Sequence, residues 1–574
     1  MMKKIVVLLL ATVMVLSMTA CSGTAAAQSD VTAKSSTAAV SAAETTAAAV
    51  TATNLNDTGV LKLQWFQSNG VDTLFQNPWV DKQCLLPYMV FEPLIAQNAD
   101  GSYVGNLATE WSVSDDNLTY TFTVAENVTW HDGEAFSAED VAFSLYGALA
   151  DPNGVWKTDL KYIKGASAVS DEGATELSGV VVDGNTVTIT LTAPNRNFLS
   201  GIAKVMILPK HCLGDVAPAE YDTNEAFWSK PVGTGLYMID KVSFPDYCTV
   251  IAYDNFHGEK AAIKNVQFTS YDVGGNDAVV SALIAGELDY AYGNAVNDIE
   301  VANNVTAQNA DTETEIQTGY YTRYFVFNTA SREDGNDKKD IQNAAVRQAF
   351  NMIIDKESVA GFYEGQAVPL TTFINPASSQ YNDDIVTFSR NVEAAAAMLK
   401  EAGFDFSQTI DIAYYYDDQT TSDIMAMLVQ NFAEAGITVK TTLLSGDLAT
   451  LLYKTRNYDI VYCAWSGATD PIALYGDMVS SGAKNAILGH VEERAKIFDT
   501  IMAAYNATTT EEEAKKYGDE MQATAAQYCY TLPIYSLNSI AIMNKTIVSI
   551  PKEIFKIDNV TVRNWRFAEW NLVG

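Results

Sequence analysis

Few residues in this chain have the types and spacing that chemistry needs. His131 and Asp132 stand side by side, a pairing that general acid–base work uses when a third group is at hand. The same pair leads into Gly133, and a histidine in a solvent-edge turn accounts for it better. His131, His211, His257 and His490 are far apart in sequence, so no metal-ligand spacing stands out. There is no G-x-S-x-G elbow, no H-E-x-x-H and no P-loop. We therefore expect no catalytic residue, no metal site and no cofactor. Aromatic residues suit ligand contact instead. Trp465 and the run Tyr414-Tyr415-Tyr416 could stack on a sugar face or equally fill a core. Ser466, Gly467 and Asp470 follow Trp465. Asp470 is the carboxylate that could meet a charged ligand terminus, or it turns the chain before Pro471.

The elements that must position these residues are legible as patterns. Thr409–Tyr416 reads as a strand rich in β-formers, and Tyr458–Trp465 as another. Between them lie a helix from Ser422 to Ala435 with Gly436 as its stop, a strand Ile437–Leu444 and a helical stretch Leu448–Tyr453. A helix also starts at Asn391 and stops at Gly403. This alternation predicts a doubly wound α/β lobe, whose crevices form at the carboxyl ends of strands. Trp465 ends such a strand. The preceding part of the chain is richer in antiparallel signals. Leu118–Val124 alternates, and Val180–Thr192 holds a hairpin with Asp183-Gly184-Asn185 at its turn. Ser137 caps a helix, with Asp140 three residues on and Val141, Phe143, Leu145 and Leu149 for packing.

The ends carry an address. Lys3 and Lys4 precede an apolar run from Ile5 to Leu16, too short to cross a bilayer, which needs about 20 residues. This is the pattern of a secretory signal, here residues 1–20. Met18-Thr19-Ala20-Cys21 resembles the lipobox of bacterial lipoproteins, with Met18 where leucine is usual. That resemblance implies a lipidated Cys21 at the mature terminus and a protein held outside the cytoplasm on the cell membrane. Residues 21–56 are mostly Ala, Thr, Ser and Val and read as a tether. Such a chain spans about 30 Å root-mean-square. A formal charge of −34 argues against nucleic-acid binding and against direct adsorption to anionic lipid. Beyond Cys21, Cys84, Cys212, Cys248, Cys463 and Cys529 form no C-x-x-C and read as buried free thiols.

One ordered series of motifs runs through the body. It begins with Phe91-Glu92-Pro93-Leu94, Leu107-Ala108-Thr109-Glu110-Trp111 and Ser114–Phe122. It continues with Asn127–Gly133, Phe136–Val141, Pro231–Tyr237 and Leu283–Asp289. Phe327-Asn328, Val346–Phe350, Ile354-Asp355, Leu399–Gly403, Ala433–Val439, Tyr458-Asp459 and Leu532–Tyr535 complete it. The series resembles the family 5 extracellular solute-binding proteins, the oligopeptide- and dipeptide-binding proteins of ABC importers. Leu236 stands where that family usually has proline. The resemblance implies a two-lobed α/β clamshell of the periplasmic-binding-protein type II, with an extra strand-rich subdomain at about 95–200. Lobe I would be 57–322, lobe II 323–531, and 532–574 would return to lobe I. The crossings would fall near Tyr320–Phe327 and Thr531–Tyr535.

It also implies a monomer that is not an enzyme and hands a peptide or other small solute to a permease and ATPase complex. Ligand contacts would come from Trp465, Ser466, Gly467, Asp470, Tyr414, Tyr415 and Tyr416. Dipeptide binders usually carry Trp-x-Gly-Asp, and here Ala468 takes the aspartate's place. Tyr415 stands where they place an arginine. An oligopeptide therefore fits better than a dipeptide. An oligosaccharide or a nickel complex is the alternative within the family, and a secreted hydrolase the alternative outside it.

Overall fold

The computed structural model describes residues 59–65, 77–80, 85–98, 102–243, 246–271, 275–292, 296, 298–376, 378–466, 471–480, 492–552 and 566–573. The expected signal, Cys21, the tether, Cys84, Gly467 and Asp470 lie outside these residues. Among the described residues no helix is long and apolar enough to cross a membrane.

Val60–Trp65 (β1) belongs to the main sheet. Ala108–Val113 (β2), Thr119–Val124 (β3), Val180–Asp183 (β4) and Thr186–Thr190 (β5) form a separate antiparallel sheet in the order β2-β3-β5-β4. Alternation does the positioning: β3 buries Tyr120, Phe122 and Val124, and β5 buries Val187 and Ile189. Gly184 takes a φ of +60° in the hairpin turn. Ala138–Ala150 (α1) begins where the sequence predicts. The Asp140 carboxylate accepts the Ser137 backbone N–H at 2.9 Å and the Lys210 backbone N–H at 2.9 Å.

Ten further strands join β1. They are Tyr237–Ser243 (β6), Tyr247–Ala252 (β7), Asn265–Ser270 (β8), Tyr290–Tyr292 (β9) and Thr312–Phe327 (β10). Ala367–Pro369 (β11), Thr409–Tyr414 (β12), Thr438–Leu443 (β13), Ile460–Ser466 (β14) and Thr531–Asn544 (β15) follow. The order is β13-β12-β14-β10-β15-β9-β1-β8-β7-β6, with β11 on β15. β10 and β15 are far longer than the usual strand of about 5–6 residues. They pair antiparallel, with breaks in register between Gln317 and Tyr321 and between Arg323 and Tyr324.

These two strands tie two lobes together. Ile540 and Ile542 of β15 pack with Leu283, Leu288 and Val305, and Ala541 and Met543 pack in the large core around Trp79 and Trp130. Leu532, Ile534, Tyr535 and Leu537 of the same strand pack with Phe350, Leu428 and Phe432. β15 therefore changes cores between Leu537 and Ile540, a few residues beyond the crossing read from sequence. In β10, Tyr324–Phe327, which follow its second register break, belong to the cores of the second lobe.

In that lobe β12 runs parallel to β13 and β14. Ala344–Ile353 (α2), Val392–Glu401 (α3) and Gln419–Glu434 (α4) cover one face. Glu492–Asn506 (α5) and Glu511–Tyr528 (α6) cover the other. Asn391 caps α3 through the Ala394 N–H, as read from sequence. α4 starts at Gln419 rather than Ser422, because the Asp418 carboxylate accepts both the Thr421 N–H and its hydroxyl at 2.8 Å.

The motif residues mostly hold this scaffold. His131 forms no dyad with Asp132. Its Nδ1 accepts the Gly233 N–H at 3.2 Å, so the proton sits on Nε2, which donates to the Gly235 carbonyl at 2.9 Å. Asp132 pairs instead with His211 at 2.8 Å. Burial holds His131 down at about 4, against weaker opposing effects of the Gly235 carbonyl and Asp132. The unfolded chain therefore takes up a proton here between pH 6.5 and about 4 that the folded chain refuses. Stability from this group is complete above 6.5 and falls as pH drops through that window, by about 3 kcal/mol in all. Urea unfolding of wild type and His131→Gln from pH 7 to 4 should show a shallower acid loss in the variant. Asp151, pushed up to about 7 by burial and Asp222, acts with the opposite sign but is common to both proteins.

Candidate functional site

The carboxyl ends of β12, β13 and β14 point the same way, toward the seam where β10 and β15 pass to the first lobe. At this edge the register sets Thr322 opposite Trp465, and Tyr321 opposite Ser466. The structure thus brings the Tyr414–Tyr416 run and Trp465 to one end of one sheet, beside the break in β10.

It does not bring them to one face. Tyr414 and Tyr416 pack on the side of Phe350 and Phe432, while Tyr415 and Trp465 pack on the side of Leu452 and Phe498. β12 ends at Tyr414, two residues short of the strand read from sequence, and Tyr415 and Tyr416 continue to alternate sides just beyond it. Trp465 is part-buried, with its ring centroid 6.4 Å from that of Tyr324. Tyr415 meets Tyr416 at a centroid distance of 4.5 Å and accepts its hydroxyl at 3.2 Å. Burial drives the Tyr415 phenol far above its ordinary range, so it stays neutral.

Sequence reasoning missed Arg323. Its side chain emerges from β10 on the face of Phe325 and Phe327, where core is expected. The guanidinium carbon stands 3.8 Å from the centroid of the Tyr416 ring and 5.7 Å from that of Tyr462. Tyr535 and Tyr363 complete the surround, and their oxygens favour the charge that burial opposes. The hydroxyls are engaged with one another. Tyr535 lies 2.8 Å from Tyr363 and 2.6 Å from Tyr462, oxygen to oxygen. Arg323 Nε and Nη1 are buried without a hydrogen-bond partner. The sequence signal was a charged residue at an inward position of the alternation Arg323, Phe325, Phe327.

One further cluster has ligand chemistry in reach. Asp132, His211 and Cys212 offer atoms within 4.8 Å of one another in the first lobe. Burial, with Asp132 and Asp140, pushes the Cys212 thiol up to about 11. Cys248, Cys463 and Cys529 are buried and form no disulfide among the described residues.

Two lobes joined by two shared strands, with strand ends opening at the seam, define a solute-binding clamshell. The family model described as bacterial extracellular solute-binding proteins, family 5 (middle part), matches residues 102–486. The chain belongs to this family. It is an extracytoplasmic binding protein of an ABC importer and not an enzyme. Among its relatives is a Brucella ovis protein named as an ABC transporter peptide-binding protein. It is 25% identical over 451 residues, covering 76% of this chain and 80% of the relative. The dipeptide-binding protein of Escherichia coli is 26% identical over 424 residues, covering 71% and 75%. The crystal structure of the substrate-binding protein CtaP from Listeria monocytogenes shares the fold. Its TM-score is 0.72 at 21% identity, over 90% of this chain and 99% of that one.

Proposed function

We propose that this protein captures an oligopeptide between its lobes and delivers it to an ABC permease, while held at the membrane by a lipid on Cys21. The observation that carries the ligand reading is the seam itself. Strand ends and a break in β10 meet there, with Tyr414 and Tyr416 on one face of the sheet and Trp465 on the other. Ala468 stands where dipeptide binders carry the aspartate that meets the ligand's amino terminus, which favours a longer peptide held along its backbone. Ser466, Gly467 and Asp470, which follow Trp465 in the sequence, would contact the ligand. The names of the Brucella and Escherichia relatives support peptide as the class. Thr19-Ala20-Cys21 after a short apolar run supports the anchor, since two acyl chains hold where one barely does.

One preparation tests both halves. The full chain is expressed in a bacterium, recovered from the membrane fraction, and analysed intact and after denaturing extraction by mass spectrometry. A mature terminus at Cys21 with a diacylglyceryl mass, and peptides longer than two residues in the extract, are expected. A processed chain without lipid would remove the anchor. A saccharide or metal complex as the sole extract would remove the peptide.

A further inference from the structure

We propose that Arg323 is the anion anchor of the cleft and that a carboxylate of the bound solute is its missing partner; this deepens the peptide reading above and rests on it for the ligand's identity. A guanidinium removed from water needs acceptors, because each buried N–H left empty costs free energy. Arg323 Nε and Nη1 have none. Among the described residues no carboxylate forms an ion pair with it, whereas Arg332, Arg390 and Arg566 each have one. The stack on Tyr416 attracts the cation through the ring face but fills no N–H. The tyrosine oxygens nearby are taken up by each other.

Position tells what these donors can serve. Arg323 lies opposite Ala464, two residues short of the end of β14, between the two register breaks of the hinge strand. The residue keeps part of its surface exposed, although Nε and Nη1 themselves are buried. Arg347 shows the contrast: it is 1% exposed, and its nitrogens are spent on three backbone carbonyls. In a chain of net charge −34, an anionic solute meets repulsion over most of the surface. Arg323, with no carboxylate partner among the described residues, would therefore favour a carboxylate at the seam.

The test compares wild type, Arg323→Gln and Arg323→Lys, each freed of endogenous ligand by unfolding and refolding. The probes are a mixed library of short peptides as free acids, the same library as carboxyl-terminal amides, and paired small molecules such as gluconate and glucose. Wild type should retain free acids over amides by about tenfold to a hundredfold, the range of a charge-assisted hydrogen bond. Arg323→Gln should lose that preference and keep the amides, and Arg323→Lys should recover only part. Without ligand, Arg323→Gln should melt no lower than wild type, since it removes an unpaired buried charge. Retained preference for free acids in Arg323→Gln overturns the proposal. If no peptide of either form binds wild type, the peptide reading fails, and the small molecules decide. Gluconate but not glucose raising the melting temperature of wild type, and not of Arg323→Gln, supports the anchor. No carboxylate effect on wild type overturns it.

Discussion

Gly233→Ala should destabilise the protein by at least about 4 kcal/mol, enough to remove much of the 5–15 kcal/mol that a domain has. A Cβ on Gly233 would stand 1.7 Å from the Val90 carbonyl oxygen and 2.7 Å from its carbon. No rotamer relieves this, because the atom met is backbone. The carbonyl cannot retreat cheaply either. It accepts the Gly235 N–H at 2.9 Å, and Val90 ends a short helix and is wholly buried. Nor can Gly233 retreat, since its carbonyl accepts the His131 N–H at 2.8 Å and its own N–H donates to the His131 ring. Gly133→Ala is the control. Gly133 needs its glycine for a φ of +94°, with nothing within 4 Å of the added carbon, so the cost there is about 1–2 kcal/mol of backbone strain. Urea unfolding of the three proteins checks this. A Gly233→Ala protein within about 1 kcal/mol of wild type would mean that the two segments part easily.

What was legible in the sequence was local. Period two exposed β3 and β5, and Asn391, Ser137, Gly403 and Gly436 marked helix ends, because a strand's faces and a helix's caps are decided within a few residues. The helix start at Asp418 was hidden by the polar run Asp417–Ser422, in which several residues can cap. The meaning of the motifs was not legible. His131 serves Gly233 across 102 positions of chain, a partnership that no spacing announces. The candidate site was half legible. Strand ends located Trp465 and the tyrosines, but alternation says only that Tyr415 and Tyr416 differ in face, not which face meets the seam. Arg323 was visible as an anomaly and uninterpretable without its surroundings. An inward arginine reads alike whether it meets a carbonyl cage, as Arg347 does, or nothing.

That cage makes Arg347→Met the second large effect, a loss of about 3 kcal/mol or more. Arg347 Nη1 donates to the Ile341 carbonyl at 2.6 Å, and Nε to those of Tyr528 and Cys529 at 3.0 and 3.1 Å. The guanidinium also lies over the Tyr530 ring, 4.4 Å from its centroid. Burial lowers its hold on the proton, yet a guanidinium remains charged throughout the physiological range. Methionine matches the aliphatic stem and removes the donors, which leaves three carbonyls at a site closed to water. Charged hydrogen bonds contribute about 1.5–3 kcal/mol each, and stranded acceptors add their own desolvation cost. Lysine should recover less than half, because one ammonium cannot span two chain segments as a planar fork does. The position of the damage matters as much as its size. Tyr528 and Cys529 end α6 just before β15 begins at Thr531, so Arg347 fixes where the second hinge strand leaves its helix. Hydrogen exchange should therefore rise first at residues 528–535 in the variant, with α3 and α4 protected until global unfolding. Uniform exchange across the lobe, or stability unchanged in urea, would show that the carbonyls find other partners and that the hinge strand is set elsewhere.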